Sequence, residues 1–72
     1  MADSSKTIQT FFGENLKRIR EKAGLSLSEL SDLCNIHRSN LSKIEKGELN
    51  ITLEKVKQLA EALEVEYWEF FN

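Results

Sequence analysis

The stretch "SLSELSDLCNIHRSNLSKIEKG", residues 26–47, contains two short helical patterns separated by a break of two or three residues. Ser26 and Glu29 form a Ser-x-x-Glu capping box, which is a specific signal for the start of a helix. Asn35 ends this helix, because Asn tolerates a positive φ better than most residues other than glycine. The apolar residues between these limits recur at helical spacing and predict a helix to about residue 34: Leu27, Leu30, Leu33 and Cys34.

A further helix follows at once, over about residues 37–46, with Leu41 and Ile44 as its buried anchors. Helices joined so tightly cross at a steep angle, which is the helix-turn-helix arrangement. In that motif the first helix crosses the DNA backbone, and the second enters the major groove with its N-terminal residues. A helix capped by Ser26 can direct its free backbone amides at a phosphate. The stretch therefore predicts a DNA-binding motif.

The outer side of the second helix is polar when Leu41 and Ile44 are directed inward. Arginine offers a planar fork that fits a guanine edge or a phosphate, asparagine can pair with adenine, and serines allow close approach. Such a face suits the major groove, although an ordinary solvated helix face is the alternative. The outward and flanking residues are Arg38, Ser39, Asn40, Ser42, Lys43 and Lys46.

The rest of the chain is also helical in pattern, so the predicted fold class is all-α. We expect one domain over residues 8–72, preceded by a flexible tail of residues 1–7. Gly24 and Gly47 follow helical patterns and predict caps in the left-handed conformation. Three further helices are expected: residues 8–23, a helix after the N-cap Thr52, and a short helix in "EVEYWEFFN", residues 64–72.

The net charge of the 72-residue chain is −2, but the charge is unevenly distributed. Residues 1–47 carry eight Lys/Arg and six acids, whereas residues 48–72 carry two lysines and six glutamates. Residues 1–47 can therefore bind a nucleic acid although the net charge of the chain is negative, because the electrostatic field of a protein acts locally. With Cys34 and His37 as the only soft ligands, we expect neither a disulfide nor a zinc site. We expect a cytoplasmic protein with no membrane span, no cofactor and no enzymatic activity.

The pattern Gly-Leu-Ser…Leu…Leu…Ser-Lys-Ile-Glu-x-Gly, which begins at Gly24, resembles the Cro/C1-repressor-type (XRE) helix-turn-helix family. Within that family, "HRSNLSKIEKGELNIT", residues 37–52, is most similar to the controller proteins of restriction–modification systems. The resemblance implies a five-helix, lambda-repressor-like domain with the motif at helices two and three. It also implies a small dimeric regulator of transcription that binds double-stranded DNA at a palindromic or pseudo-palindromic operator.

The resemblance also implies roles for individual residues. Arg20 and Glu45 fall where the family has a structural ion pair. Leu27 stands where the family often has a phosphate-contacting Gln, so this contact is expected to be missing unless the neighbouring Ser28 supplies it. The residues expected to contact bases or phosphates are Ser26, Ser28, Arg38, Ser39, Asn40, Ser42, Lys43 and Lys46.

The residues near the C-terminal end of the sequence include four aromatic side chains within five positions, from Tyr67 to Phe71. A short terminal helix cannot bury all four, and aromatic residues are enriched in interface cores. We therefore expect a homodimer with Ile51, Trp68 and Phe71 near its interface. The alternative for Trp68 is that it folds back over the first helix.

Three other functions fit the same residues. A phage-type repressor and the antitoxin of a toxin–antitoxin pair share the expected fold. A protein-interaction module without DNA binding would leave the polar face merely solvated and use the aromatic residues for a partner. No ligand-binding segment is recognisable, so no small-molecule ligand is expected.

Overall fold

The computed structural model describes residues 6–72, which form four α-helices and one short 3-10 helix and contain no strand. The predicted all-α class is confirmed. The expected five-helix count is not, because the last segment is a 3-10 helix. Glu64 ends the fourth α-helix, because its φ of 57° is left-handed. The segment that follows is only a few residues long, which is the usual length of a 3-10 helix. The elements are α1 (Ile8–Lys22), α2 (Leu27–Cys34), α3 (Arg38–Glu45), α4 (Leu53–Leu63) and the 3-10 helix (Tyr67–Phe71).

The helix ends follow local signals in the sequence. Gly24 and Gly47 have φ of 77° and 76°, as predicted, and Asn35 has φ of 61° at the end of α2. The Thr52 side chain accepts a hydrogen bond from the backbone N–H of Lys55, so Thr52 is the predicted N-cap of α4. These caps satisfy backbone groups that a helix leaves unpaired at its ends.

Helix α1 begins at Ile8, directly after the segment of residues 1–7 that was predicted to be a flexible tail. Residues 1–5 of that segment lie outside the described residues. Thr7 is the N-cap of α1, and its side chain accepts a hydrogen bond from the backbone N–H of Thr10 at 3.1 Å. Lys6 forms an ion pair with Glu14 at 2.6 Å.

A single apolar core lies between the helices, and Phe12, Phe70 and four leucines are almost fully buried in it. Leu33 is an exception to the predicted pattern, because 58% of it is exposed. At about 100° per residue, Leu30 and Cys34 define the inward direction of α2, and Leu33 lies roughly 80° away from their mean. Helical periodicity therefore places Leu33 outside the buried side of α2, although it was among the residues that predicted the helix.

Helix α1 contacts α3 through one part of its surface and the 3-10 helix through another, while α2 packs on α3 and α4. Gly13 is buried where α1 approaches the backbone carbonyls of Ile44 and Glu45, and a side chain there would collide with both. The close approach fixes the position of α3 relative to α1. No helix among residues 6–72 has the length and apolar character that a membrane span requires.

Candidate nucleic-acid interface

The turn between α2 and α3 is held by hydrogen bonds at both of its ends. The backbone N–H of Asn35 donates to the Ser31 carbonyl at 3.0 Å, and the Ser31 hydroxyl donates to the Ile36 carbonyl at 2.7 Å. Ile36 is buried in the core. The turn is therefore anchored by a side chain as well as by its backbone, which sets the angle between the two helices.

The N-terminus of α2 carries the predicted capping box. The Ser26 hydroxyl accepts from the backbone N–H of Glu29 at 3.0 Å, and the Ser26 backbone N–H donates to the Glu29 carboxylate at 2.8 Å. A helix leaves its first four N–H groups without an intrahelical partner, and the box satisfies two of them. The amides of Leu27 and Ser28 remain for an external acceptor, and the hydroxyl hydrogen of Ser26 is not used by the box.

Helix α3 is anchored by Leu41 and Ile44, which are 0% and 3% exposed, and it presents its polar side to solvent. Among the predicted contact residues on this helix, Ser42 alone is half-buried. Arg38 Nη1 lies 3.4 Å from Ser28 Oγ, so a residue of α3 reaches the start of α2. The exposed predicted residues are Arg38, Ser39, Asn40, Lys43 and Lys46.

His37 is the N-cap of α3, a role that the sequence did not suggest. Its Nδ1 accepts a hydrogen bond from the backbone N–H of Ser39 at 3.1 Å and lies 2.8 Å from Ser39 Oγ. Ser, Thr, Asp and Asn are the residues that usually signal an N-cap. An imidazole in this role has no comparable signal, so only the coordinates identify it.

Arg20 and Glu45 form a buried ion pair that joins α1 to α3. Arg20 Nε and Nη2 donate to the two carboxylate oxygens of Glu45 at 2.6 and 3.1 Å, and Nη1 donates to the Leu25 carbonyl at 2.8 Å. The two side chains are 11% and 7% exposed. The hydrogen bond to Glu45 raises the pKa of the Arg20 guanidinium, which therefore stays charged. The charge of the acid on α3 is thus paired inside the protein and is not presented to solvent.

A second surface is apolar, and we call it the apolar face: Ile8, Ile51, Leu53, Val56 and Phe71. These residues line a groove of about 300 Å³ together with Phe12 and two polar residues. Leu53 and Ile8 are 87% and 66% exposed, and neither was among the residues predicted for the interface. Of the predicted interface residues, Ile51 is half-buried, Phe71 is 44% exposed and Trp68 is 63% exposed. Trp68 does not line this groove and does not fold over α1 to become buried.

The described residues offer little for a metal. No group of three or more His, Cys, Asp or Glu side chains that could hold an ion occurs within residues 6–72. Cys34 is buried at the end of α2, and desolvation raises the pKa of its thiol. The thiol is therefore kept in its neutral form, which is a poor metal ligand.

Comparison with known proteins places this arrangement in a family. The profile of the HTH_3 family, described as "Helix-turn-helix", matches residues 16–67 of the chain. The match includes α2, the turn, α3 and α4. The chain belongs to this helix-turn-helix family.

Within this family, the chain is similar to several control proteins of known sequence or structure. The chain is 32% identical over 63 residues to the control protein C.BamHI of Bacillus amyloliquefaciens, covering 86% of this chain and 78% of that protein. It is 32% identical over 56 residues to the control protein C.SmaI of Serratia marcescens, covering 78% and 67%. The crystal structure of the restriction-modification controller protein C.AhdI from Aeromonas hydrophila superimposes with a TM-score of 0.86 and 34% identity, covering 89% of this chain and 97% of that one.

Proposed function

We propose that the protein is a sequence-specific DNA-binding transcription regulator that acts as a homodimer and controls a restriction–modification operon. The observation that carries the proposal is the polar face of α3, which lies beside the free amides at the start of α2. The family membership and the similarity to control proteins support the same function.

The charge on α3 fits a phosphate-rich partner. Arg38, Lys43 and Lys46 are exposed, while Glu45, the acid on this helix, is buried against Arg20. The outward charge of the helix is therefore positive even though the whole chain carries −2. Cationic side chains that neutralise phosphates supply sequence-independent affinity, and an inserted helix supplies base readout.

The proposed roles follow the position of each side chain. Arg38, Ser39, Asn40 and Lys43 read base edges or the adjacent phosphates from the first turns of α3. Lys46, at the far end of α3, and Ser42, at its flank, contact the backbone of the duplex. Phosphate binding at the start of α2 uses the hydroxyls of Ser26 and Ser28 with the amides of that turn. The apolar side chain of Leu27 is half-buried and cannot bind a phosphate, so Leu27 contributes only its backbone amide in this arrangement.

The first test compares Arg38→Ala with Lys46→Ala on duplexes that carry the region upstream of the gene. Arg38→Ala should cost about 1–3 kcal/mol and relax the preference at one base pair in each half-site. Lys46→Ala should weaken all sequences alike and make the negative slope of log affinity against log salt less steep by about one.

Exposed Glu54→Ala, outside the motif, is the control and should leave specificity unchanged. If the two cation variants behave identically, Arg38 does not read a base. If the wild-type protein retards no duplex at low ionic strength, DNA binding itself is excluded.

The dimer is proposed to form through the apolar face. An exposed groove lined by aliphatic and aromatic side chains marks an interaction surface, and burial there would support a core that is marginal at this size. A two-fold dimer also presents two copies of α3 about 34 Å apart, which is the spacing of successive major grooves on one side of DNA.

The dimer can be tested with two exposed leucines. Leu53→Gln, in the apolar face, should weaken self-association at least about tenfold in sedimentation equilibrium and reduce operator affinity with it, because it replaces apolar contact area. Leu33→Gln is the matched control, since Leu33 is also exposed but lies outside that face. Equal weakening by both substitutions would contradict the proposed interface.

A further inference from the structure

The hydroxyl group of Ser39 is held by the N-cap of its own helix. His37 Nδ1 accepts from the backbone N–H of Ser39 at 3.1 Å. A backbone N–H can only donate, so Nδ1 must be the unprotonated nitrogen, and the proton of the neutral ring lies on Nε2. This requirement fixes the tautomer of His37 through geometry.

The tautomer in turn fixes the direction of the second hydrogen bond. Ser39 Oγ lies 2.8 Å from the same Nδ1. Because the unprotonated Nδ1 can only accept, the Ser39 hydroxyl is the donor, and it shares the one lone pair of Nδ1 with the Ser39 backbone N–H in a bifurcated arrangement. A serine has one hydroxyl hydrogen and two lone pairs, so the hydrogen is committed to the ring and the lone pairs remain. The exposed Ser39 side chain therefore presents an acceptor to its surroundings.

We propose, on the basis of the DNA-binding function above, that Ser39 reads an amino group and that His37 is the positioning residue that gives it this preference. In the major groove, adenine N6 and cytosine N4 are donors, whereas guanine O6 and N7 and thymine O4 are acceptors. An acceptor-only Ser39 accepts from adenine or cytosine on the strand that it faces and is repelled by guanine or thymine there. For the same reason Ser39 cannot donate to a phosphate, so of the two roles proposed above for this residue only the reading of base edges remains.

The first experiment is made without DNA. His37 is the only histidine in the chain, so the ring nitrogens give one unambiguous set of ¹⁵N resonances. At a pH where the ring is neutral, the spectrum should show a protonated Nε2 and an unprotonated Nδ1. A proton on Nδ1 would overturn the proposal, whatever the protein binds.

The second experiment selects binding sites from duplexes with randomised half-sites. Wild-type protein should favour adenine or cytosine over guanine or thymine by about three- to tenfold at one position, the range expected for one hydrogen bond. Ser39→Ala should abolish this preference at that position and leave the other positions unchanged. A preference for guanine or thymine there, or no position that responds to Ser39→Ala, would overturn the proposal.

His37→Gly separates the role of the ring from helix capping. Glycine is tolerated at N-caps but offers no side-chain acceptor, so the Ser39 hydroxyl can rotate and donate. The amino-group preference should fall below about twofold while Ser39 is still present. His37→Asn keeps a side-chain acceptor and should retain the preference. Equal behaviour of the two variants would exclude His37 as the positioning residue. Absence of any specific binding by wild-type protein would instead refute the DNA-binding function. The tautomer of His37, which is measured without DNA, would not be affected by that result.

Discussion

Helix α1 holds α3 and the 3-10 helix by contacts of different kinds. Its contact with α3 combines the bidentate Arg20–Glu45 pair with a glycine, Gly13, that allows two backbones to meet. Its contact with the 3-10 helix uses one buried hydrogen bond, from Asn15 Nδ2 to the Phe70 carbonyl at 2.8 Å. Aromatic packing on Phe12 adds to this second contact.

The difference indicates how firmly each segment is positioned. A backbone approach and a buried ion pair leave α3 little freedom, which suits a helix proposed to align with base edges. One hydrogen bond and tilted aromatic rings specify the 3-10 helix less tightly, since aromatic pairs accept several arrangements. We therefore expect substitutions at the α3 contact to affect the whole domain, and substitutions at the other contact to act locally.

Arg20→Ala should have the largest effect on stability. It leaves Glu45 buried without its partner, which costs about 3–5 kcal/mol. At roughly 4–8 °C per kcal/mol for a domain of this size, the melting temperature should fall by more than about 12 °C. Thermal unfolding followed by circular dichroism measures this change, and exposed Lys17→Ala on the same helix serves as the control.

A double substitution sharpens the interpretation. Arg20→Met combined with Glu45→Leu removes both charges, so it should be clearly more stable than Arg20→Ala alone. An unchanged melting temperature for Arg20→Ala would show that the pair does not hold α1 and α3 together.

Gly13→Ala should have the next largest effect. Alanine favours the helix by about 1 kcal/mol over glycine, but its Cβ would collide with the carbonyl groups of Ile44 and Glu45, which cannot move independently of α3. Overpacking costs about 1–3 kcal/mol, and a Cβ that would lie 2.7 Å from the Glu45 carbonyl oxygen and closer still to that of Ile44 belongs at the upper end of that range. After the gain in helix propensity, we expect a net loss of about 2 kcal/mol in chemical denaturation.

Gly24 provides the contrast, because it has open space around it and is constrained by its φ of 77°. Asparagine tolerates that conformation, so Gly24→Asn should be milder than Gly24→Ala, whereas Gly13→Asn should be at least as harmful as Gly13→Ala. The opposite order at position 13 would refute the steric explanation.

Local signals in the sequence were sufficient for much of the architecture. The capping box at Ser26, the positive φ of Asn35 and the N-cap at Thr52 each depend on neighbours within a few residues, and all three occur as predicted. The buried anchors and the exposed outer side of α3 follow from helical periodicity in the same way.

The features that were missed depend on contacts between distant parts of the chain. Asn15 is buried because the Phe70 carbonyl, 55 positions later, accepts its hydrogen bond. A side chain at Gly13 is excluded because of where α3 lies. Leu33 is a different case, because helical periodicity within α2 is sufficient to place it away from the buried side. His37 was missed for another reason, because imidazole is not among the usual capping groups.

Asn15→Ala should lower the global stability less than Arg20→Ala or Gly13→Ala does, and its effect should be confined to the 3-10 helix. It leaves the Phe70 carbonyl without its donor, at a cost of about 1–2 kcal/mol. Amide hydrogen exchange should accelerate in the 3-10 helix while the amides of α3 keep their protection. Arg18→Ala is the control, because it removes a donor to Asn15 Oδ1 and leaves the bond to Phe70 intact.

The same variant connects the local contact to assembly. Phe71 follows Phe70 and lines the apolar face, so loosening the 3-10 helix should weaken self-association even though no residue of that face is altered. Sedimentation equilibrium at a temperature where the variant remains folded measures this. If exchange accelerated equally in α3 and in the 3-10 helix, the two contacts would belong to one cooperative unit, and the distinction between a firmly and a loosely positioned segment would fail.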